Sequence, residues 1–262
     1  MSTDISLTPQ AVRQGLCTHT LGQTVHCLQT TVSTNEDVKE AARSGAPDGM
    51  VVTAEHQTGG KGRLGRSWDS PQNGGLYFTI LLRGAHLPQA VTMVPLLSGF
   101  AVCTALRKSF SADARIKWPN DVVIGSRKVC GILCEGGTDA SGSSWAISGI
   151  GVNVNNPAFP PELQKRATSL LLETGQQYTR CAVLQRILEK MEPLLESGSL
   201  PESYAPLCVS LGRQVSYFRG KQKYTGTACS ITPAGELLVR LPDGQTETVN
   251  SGEVTVQGIY GE

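Results

Sequence analysis

The 262-residue chain is short of several things, and each shortage removes a class of protein. Charge surplus is the first: 23 lysines and arginines stand against 22 acids, so no global field draws the molecule to nucleic acid or to an anionic membrane. Aromatic residues make up 5% of the chain, too few for a surface that stacks successive bases. The start, MSTDISLTPQ, lacks the basic stretch and apolar run of an export signal, and no apolar segment of 18 residues is expected, which points to a cytoplasmic protein with no membrane partner. The eight cysteines, at 17, 27, 103, 130, 134, 181, 208 and 229, form neither a CxxC pair nor a ligand-like spacing with histidine. They are expected as reduced core thiols, and a metal site is left unknown. Internal repeats and low-complexity tracts are also absent. The length suits one large domain, or one domain with a small companion.

One more absence decides the reading of a motif. HQTGGKGRLGRSWDSPQNGG, residues 56 to 75, holds Gly60, Gly62 and Gly65 in the GxGxxG spacing of a dinucleotide cradle. The preceding GMVVTAEHQ has the β-branched, apolar character of the required strand. The required helix is missing, because RSWDSPQNGG carries Pro71, Asn73, Gly74 and Gly75 and no 3.6-residue apolar repeat. No Asp or Glu lies between Asp69 and Asp113 to bind a ribose about 20 residues on. What remains is a glycine loop with Lys61, Arg63 and Arg66 within six residues. Like charges so close repel, so the loop is expected to be poorly ordered until an anion draws the cations and backbone amides together. A solvated basic turn is the plain alternative.

Around that loop the chain mixes α and β without regular βαβ alternation. VHCLQTTVSTNEDVKEAARSGAPDG reads as a strand and then a helix, capped by Ser33, Thr34 or Asn35 and stopping near Gly45 and Pro47. MVVTAEHQ and GLYFTILLR are strands, and a helix is expected from Pro95 to about Lys108. ARIKWPND, VVI and RKVCGILCEG read as strands with a tight turn at Gly125-Ser126, and SWAISGIGVNVNN as another strand. Leu184, Ile187, Leu188, Met191 and Leu195 repeat at helical spacing up to Gly198. From Leu211 the helical period stops, and turn signals at Arg219-Gly220, Pro233-Ala234-Gly235 and Pro242-Asp243-Gly244 describe a small barrel of about 50 residues.

A second constellation lies in KWPNDVVIGSRKVCGILCEG. Pro119 bends the chain after the Lys117 strand, and Asn120 and Asp121 suit a turn. Asp121 reads either as a chemical group or as the partner of a lysine. Lys128 enters a strand of apolar and small residues, so it either marks the sheet's edge or faces a pocket containing an anion.

STN, GKGRLGRSW, KWPND with its following RKVCGIL, and GIGVNVN occur in that order, and the set closely resembles the catalytic domain of biotin protein ligases. The tail ending SGEVTV resembles that family's C-terminal SH3-like domain, so the likeness spans about residues 25 to 260. The resemblance implies an α/β (α+β) fold with a mixed sheet like that of class II aminoacyl-tRNA synthetases and flanking helices. The ligase domain is expected over 1–210 and the barrel over 211–262. The implied reaction joins biotin to ATP as biotinyl-5'-AMP, with Mg²⁺ assisting, and passes biotin to a lysine of a biotin carboxyl carrier domain.

By that likeness Arg63 and Lys128 screen the biotin carboxylate from the α-phosphate, and Asp121 orients or deprotonates the acceptor amine. The biotin side would comprise Ser33, Thr34, Asn35, Gln57, Gly60, Lys61, Gly62, Arg63, Lys128 and Gly131. The nucleotide side would comprise Arg63, Arg66, Trp68, Lys117, Asn120, Lys128 and Asn153, with Trp68 covering the adenine. Structural roles compete: Ser33, Thr34 or Asn35 as a helix cap, Trp68 as a staple on the core, Gln57 and Asn153 as the closing of strand ends. Lys61 departs from the arginine of many members, so its contact with phosphate would be a point charge. Only 32 residues precede Ser33, without a helix-turn-helix pattern, so the monofunctional type with no DNA partner is expected. Homodimerisation through a sheet edge is compatible with the sequence. The nearest enzymatic rival is a lipoate or octanoate ligase, which would need a longer apolar tunnel; an RNA-binding module is the rival of another class.

Overall fold

The computed structural model describes residues 7–250 and 252–261. A short helix, α1 (Pro9–Arg13), is capped by Thr8, whose side chain accepts from the Ala11 amide. The strand β1 (Val25–Thr31) leads into α2 (Thr34–Arg43), which buries Val38 and Ala42 along one stripe and stops at Ser44, before Gly45 with φ 84°. Next come β2 (Val51–Gln57) and β3 (Gly75–Leu82). Every residue of β3 is buried, as a continuous apolar run demands of a strand covered on both faces. The helix α3 (Val94–Phe110) begins with Pro95 in its first turn. Then follow β4 (Ala114–Lys117), β5 (Asp121–Ile124), β6 (Arg127–Thr138) and β7 (Ser144–Asn153). Three helices close the first unit: α4 (Leu170–Thr174), α5 (Arg180–Ser197), ended by Gly198 at φ 62°, and α6 (Tyr204–Leu207).

The strands form a seven-stranded mixed sheet in the order β1-β2-β3-β7-β6-β5-β4, in which β1 and β2 pair in parallel and the other neighbours antiparallel. Helices α3 and α5 cover one face through Leu97, Ala101, Leu184 and Leu188; α2 covers the other through Val38 and Ala42 on Val52, Leu81 and Ile147. This is the fold class expected.

Two expectations need correction. The segment Val91–Phe110 is long and apolar enough to cross a membrane by length and composition, contrary to the reading that no such segment exists; 67% of its apolar window is buried inside the protein. The thiols are all free, but they are not all in the core: Cys17 and Cys229 are exposed. Cys17 lies in the turn-rich segment after α1 and Cys229 on an exposed position of the C-terminal sheet, whereas Cys103 and Cys130 lie in apolar runs.

The C-terminal part has five antiparallel strands, β8 (Gln214–Arg219), β9 (Gln222–Ile231), β10 (Leu237–Arg240), β11 (Thr246–Val249) and β12 (Val254–Val256), in the order β11-β10-β9-β8-β12. Its turns fall at the three anticipated glycine sites. Val215, Val239 and Val254 join the same apolar cluster as α3, and the buried Trp118 indole donates to the Gly235 carbonyl at 3.0 Å. The small sheet therefore abuts the β4–β5 turn, which places its last residues beside Asp121.

Candidate active site

At the C-terminal end of β2 the chain builds a pocket from neutral side chains. Ser33 holds the N-cap position of α2, but its side chain makes no capping hydrogen bond. Gln57 does that work from β2: its Oε1 accepts from the Thr34 amide at 2.9 Å and the Thr34 hydroxyl at 3.2 Å, and its Nε2 donates to Ser70 Oγ at 3.0 Å. The Thr34 and Thr79 hydroxyls lie 2.8 Å apart, Thr79 donates to Asn35 Oδ1 at 2.7 Å, and Asn35 Nδ2 donates to Glu135 Oε2 at 3.0 Å. Such a chain fixes which lone pairs and N–H groups a ligand meets.

The floor beneath is glycine. Gly131 and Gly151 stand opposite one another in the β6–β7 register, and Gly149 lies under Asn35. A Cβ on Gly131 would lie 2.8 Å from Trp68 and Lys128, and one on Gly151 would lie 2.6 Å from the indole, so side chains are excluded where these groups rest on the sheet. The resulting cleft, of about 450 Å³, has Phe78, Ile132 and Ile150 as apolar walls.

The glycine loop is folded over one side. It closes as a 3₁₀ turn at Arg63–Gly65, with Leu64 at φ 56° and Gly65 at φ 73°, and no helix follows, as the absent apolar repeat required. Trp68 N donates to the Gly60 carbonyl at 2.9 Å, and a Cβ at Gly60 would strike the Trp68 carbonyl. The expected repulsion among its cations is relieved differently from the reading above. Lys61 pairs with Glu36 at 2.5 Å, Arg66 pairs with Glu253 at 2.5 Å, and Arg63 donates to Asn120 Oδ1 at 2.8 Å and to the Gly252 carbonyl at 3.0 Å. Four acceptors, two of them from the C-terminal unit, take up the three cations separately.

Past Trp68 the lining becomes charged. Lys128 Nζ lies 2.6 Å from Asp121 Oδ1 and 5.4 Å from the Trp68 ring centroid. Tyr260 donates its phenol to Asp121 Oδ2 at 2.7 Å. Burial raises the Asp121 pKa, but the charges of Lys128 and Lys117 and the two hydrogen-bonding partners outweigh it and hold the carboxyl below its ordinary range. A β-bulge between Val122 and Val123 and the pairing of Lys128 N with the Arg166 carbonyl at 2.7 Å turn Lys128 into the cleft, deciding the open question in favour of the pocket. A second, wider cleft of about 1050 Å³ opens there, lined by Trp68, Asp121, Lys128, Asn153 and Arg166 among others.

Most of the anticipated residues therefore meet. Thr34, Asn35, Gln57, Lys61, Gly62, Arg63, Trp68, Asn120, Lys128 and Gly131 line the first cleft. Arg66, Asp121 and Asn153 line the second, and Lys117 lies at the junction, with Nζ donating to the Val254 carbonyl at 3.0 Å. Ser33 and Gly60 line neither: Ser33 opens α2 through its carbonyl, and Gly60 packs under Trp68. Asn153 does close a strand end, donating to Thr168 O at 3.0 Å. Sequence reasoning missed Thr79, Gly149, Gly151, Arg166 and Tyr260. The alternation in SGIGVN is the signal that could have found the two glycines; nothing local points to Tyr260.

A small pocket with neutral groups at one end and Lys61, Arg63 and Lys128 also in its lining opens onto a second, charged cleft, an arrangement suited to an acid-activating ligase, which must bring two anionic groups together. The comparisons with known proteins agree. Residues 27–155 match the biotin/lipoate A/B protein ligase family, and residues 210–256 match the biotin protein ligase C-terminal domain. The bifunctional ligase/repressor BirA of Bacillus spizizenii is 32% identical over 249 residues, covering 91% of this chain and 76% of that protein. The biotin–[acetyl-CoA-carboxylase] ligase of Mycobacterium tuberculosis is 32% identical over 235 residues, covering 86% and 85%. The biotin protein ligase of Aquifex aeolicus, solved in complex with biotin and ATP, superposes with a TM-score of 0.76 at 32% identity, covering 90% of this chain and 99% of that one. The chain belongs to the biotin protein ligase family.

Proposed function

We propose that the protein condenses biotin with ATP to biotinyl-5'-AMP and pyrophosphate, then transfers biotin to the ε-amine of one lysine on a biotin carboxyl carrier domain. The observation that carries this reading is the position of Lys128, which lines both clefts at the point where the neutral pocket meets the cationic one. Biotin is a compact bicyclic ring with a ureido group, and the network of Thr34, Asn35 and Gln57 supplies both donors and acceptors to match it. Its carboxylate would then lie toward Lys128 and Arg63. Two unit charges 4 Å apart repel by about 4 kcal/mol at an effective dielectric of 20, so the two cations offset a term that otherwise blocks attack on the α-phosphate.

The nucleotide would take the wider cleft, with Trp68 and Asn153 on the base and ribose side and Arg66, Lys117 and Asn120 toward the phosphates. Among the described residues no group of three or more His, Cys, Asp or Glu could hold a metal ion. Mg²⁺ would accompany the ATP phosphates, which supply its oxygens. In the second step the acceptor amine, with an ordinary pKa near 10.4, must lose a proton before it attacks, and Asp121 is the carboxylate at hand.

We further read residues 1–210 as the catalytic unit, residues 211–262 as an SH3-like barrel, and the location as cytoplasmic. No strand pairs with β6 beyond Gly131 on the side away from β7 among the described residues, leaving an edge suited to a second copy.

Pyrophosphate exchange into ATP, measured with Mg²⁺ and either biotin or lipoate, tests the reading. Exchange with biotin alone is expected. Exchange with lipoate alone would keep the fold and overturn the substrate, and exchange with neither would remove the adenylation chemistry.

A further inference from the structure

Tyr260 reaches the site from the far end of the chain, in a backbone state that tyrosine seldom adopts. Its φ is 63°, between Gly258 at 79° and Gly261 at 77°, and its amide is tied to the Ser126 carbonyl of the β5–β6 turn at 2.9 Å. The ring lies near two cations, Lys117 Nζ at 5.1 Å and Arg166 at 6.0 Å from its centroid, and the phenol ends on Asp121 Oδ2. Burial, with Asp121 beside it, pushes the phenol's pKa far up, so it stays a donor throughout the working range. Lys128 occupies the other carboxylate oxygen, Oδ1. One oxygen of the carboxylate thus carries a hydrogen bond and the other an ion pair.

We propose that Tyr260 is the positioning residue for the base of the transfer step: it clamps Oδ2, so that Oδ1, released when Lys128 turns to the substrate anion, faces the acceptor amine. The inference rests on the function proposed above and assigns a residue that the reading did not contain. The acceptor amine, neutral once its first proton has passed by way of Asp121 to solvent, attacks the carbonyl carbon of the mixed anhydride; a C–N bond forms, the bond from that carbon to the oxygen bridging to phosphorus breaks, and AMP departs with that electron pair. The proton that nitrogen then loses passes to Asp121 Oδ1 and then to solvent. Lys128 therefore does two things in order, masking the base until an anion claims it and then exposing it.

The groups facing Asp121 are Lys117 from β4, Lys128 and the buried Cys130 thiol from β6 and Tyr260 from the C-terminal segment, with Arg166 beyond the ring. Removing the phenol removes one interaction that favours the carboxylate, so the carboxyl pKa rises. Transfer, which needs the ionised form, must then fail at a higher pH than before.

Tyr260→Phe keeps the ring and deletes the hydroxyl. Transfer from preformed biotinyl-5'-AMP to a purified biotin carboxyl carrier domain is expected to slow about tenfold at pH 7, the order of one hydrogen bond to a charged group. Biotin-dependent pyrophosphate exchange is expected to fall less than about threefold, and the acidic limb of the transfer profile to move upward. Adding Tyr260→Phe to Asp121→Asn should change transfer no further. Equal losses in both half-reactions with an unmoved limb, or an additive double variant, would reduce Tyr260 to a structural tie and overturn the proposal. If the unsubstituted chain showed neither exchange nor transfer, the function itself would fall and the inference with it.

Discussion

The two halves of the cleft are made of opposite materials. Around Gln57 the groups are neutral, buried and bonded to one another, with Thr34, Asn35 and Thr79 at most 4% exposed. Around Asp121 they are charged and gathered from distant segments: Lys117 from β4, Lys128 from β6, Arg166 from a loop and Tyr260 from the chain's end. A neutral network holds its geometry without a ligand and discriminates by pairing donors with acceptors, but it cannot stabilise developing charge. A cluster of cations does the reverse. On the function proposed above, recognition and activation are therefore separable, with Lys128 at the boundary.

That separation is open to direct attack. Lys128→Ala strikes the charged half and should lower pyrophosphate exchange by about 10²–10³-fold at saturating biotin, the size seen when a preorganised charge-stabilising group is lost. A drop confined to the KM for biotin would place Lys128 among the recognition groups instead. Asp121→Asn should slow transfer from preformed adenylate by about 10²-fold while exchange changes far less; matching losses would deny the base its role. In the neutral half, Gln57→Ala removes the cap of Thr34 and should raise the KM for biotin about 10–100-fold with a smaller change in kcat, as expected for one or two lost buried hydrogen bonds. Smallest of all, Lys61→Ala breaks an ion pair with Glu36 in which the lysine side chain is 52% exposed. Its effect on folding stability should stay below about 1 kcal/mol by denaturant titration.

The same division explains what the sequence made legible. The neutral half was legible through the family resemblance: read alone, Thr34 and Asn35 suggest a helix cap and Gln57 the closing of a strand end, and the ordered motifs supplied the binding roles expected of them and of Gly131. The rejection of a dinucleotide cradle was also readable, because the helix that RSWDSPQNGG cannot form is absent from the structure. The charged half was legible only in part. Lys128 and Asp121 stood out as charges in a hairpin, but Tyr260 sits in GIYGE, a tail with no periodicity, and meets Asp121 across 139 residues. Arg63, Lys61 and Arg66 read as one cluster because they adjoin in the chain. The left-handed turn at Leu64 and Gly65 sends them to separate partners, which spacing alone does not encode.

Titrating biotin to saturation in pyrophosphate exchange, with Gln57→Ala and Lys128→Ala side by side, tests the central claim most directly. High biotin is expected to restore the rate of Gln57→Ala and to leave Lys128→Ala slow. Rescue of both, or of neither, would contradict it.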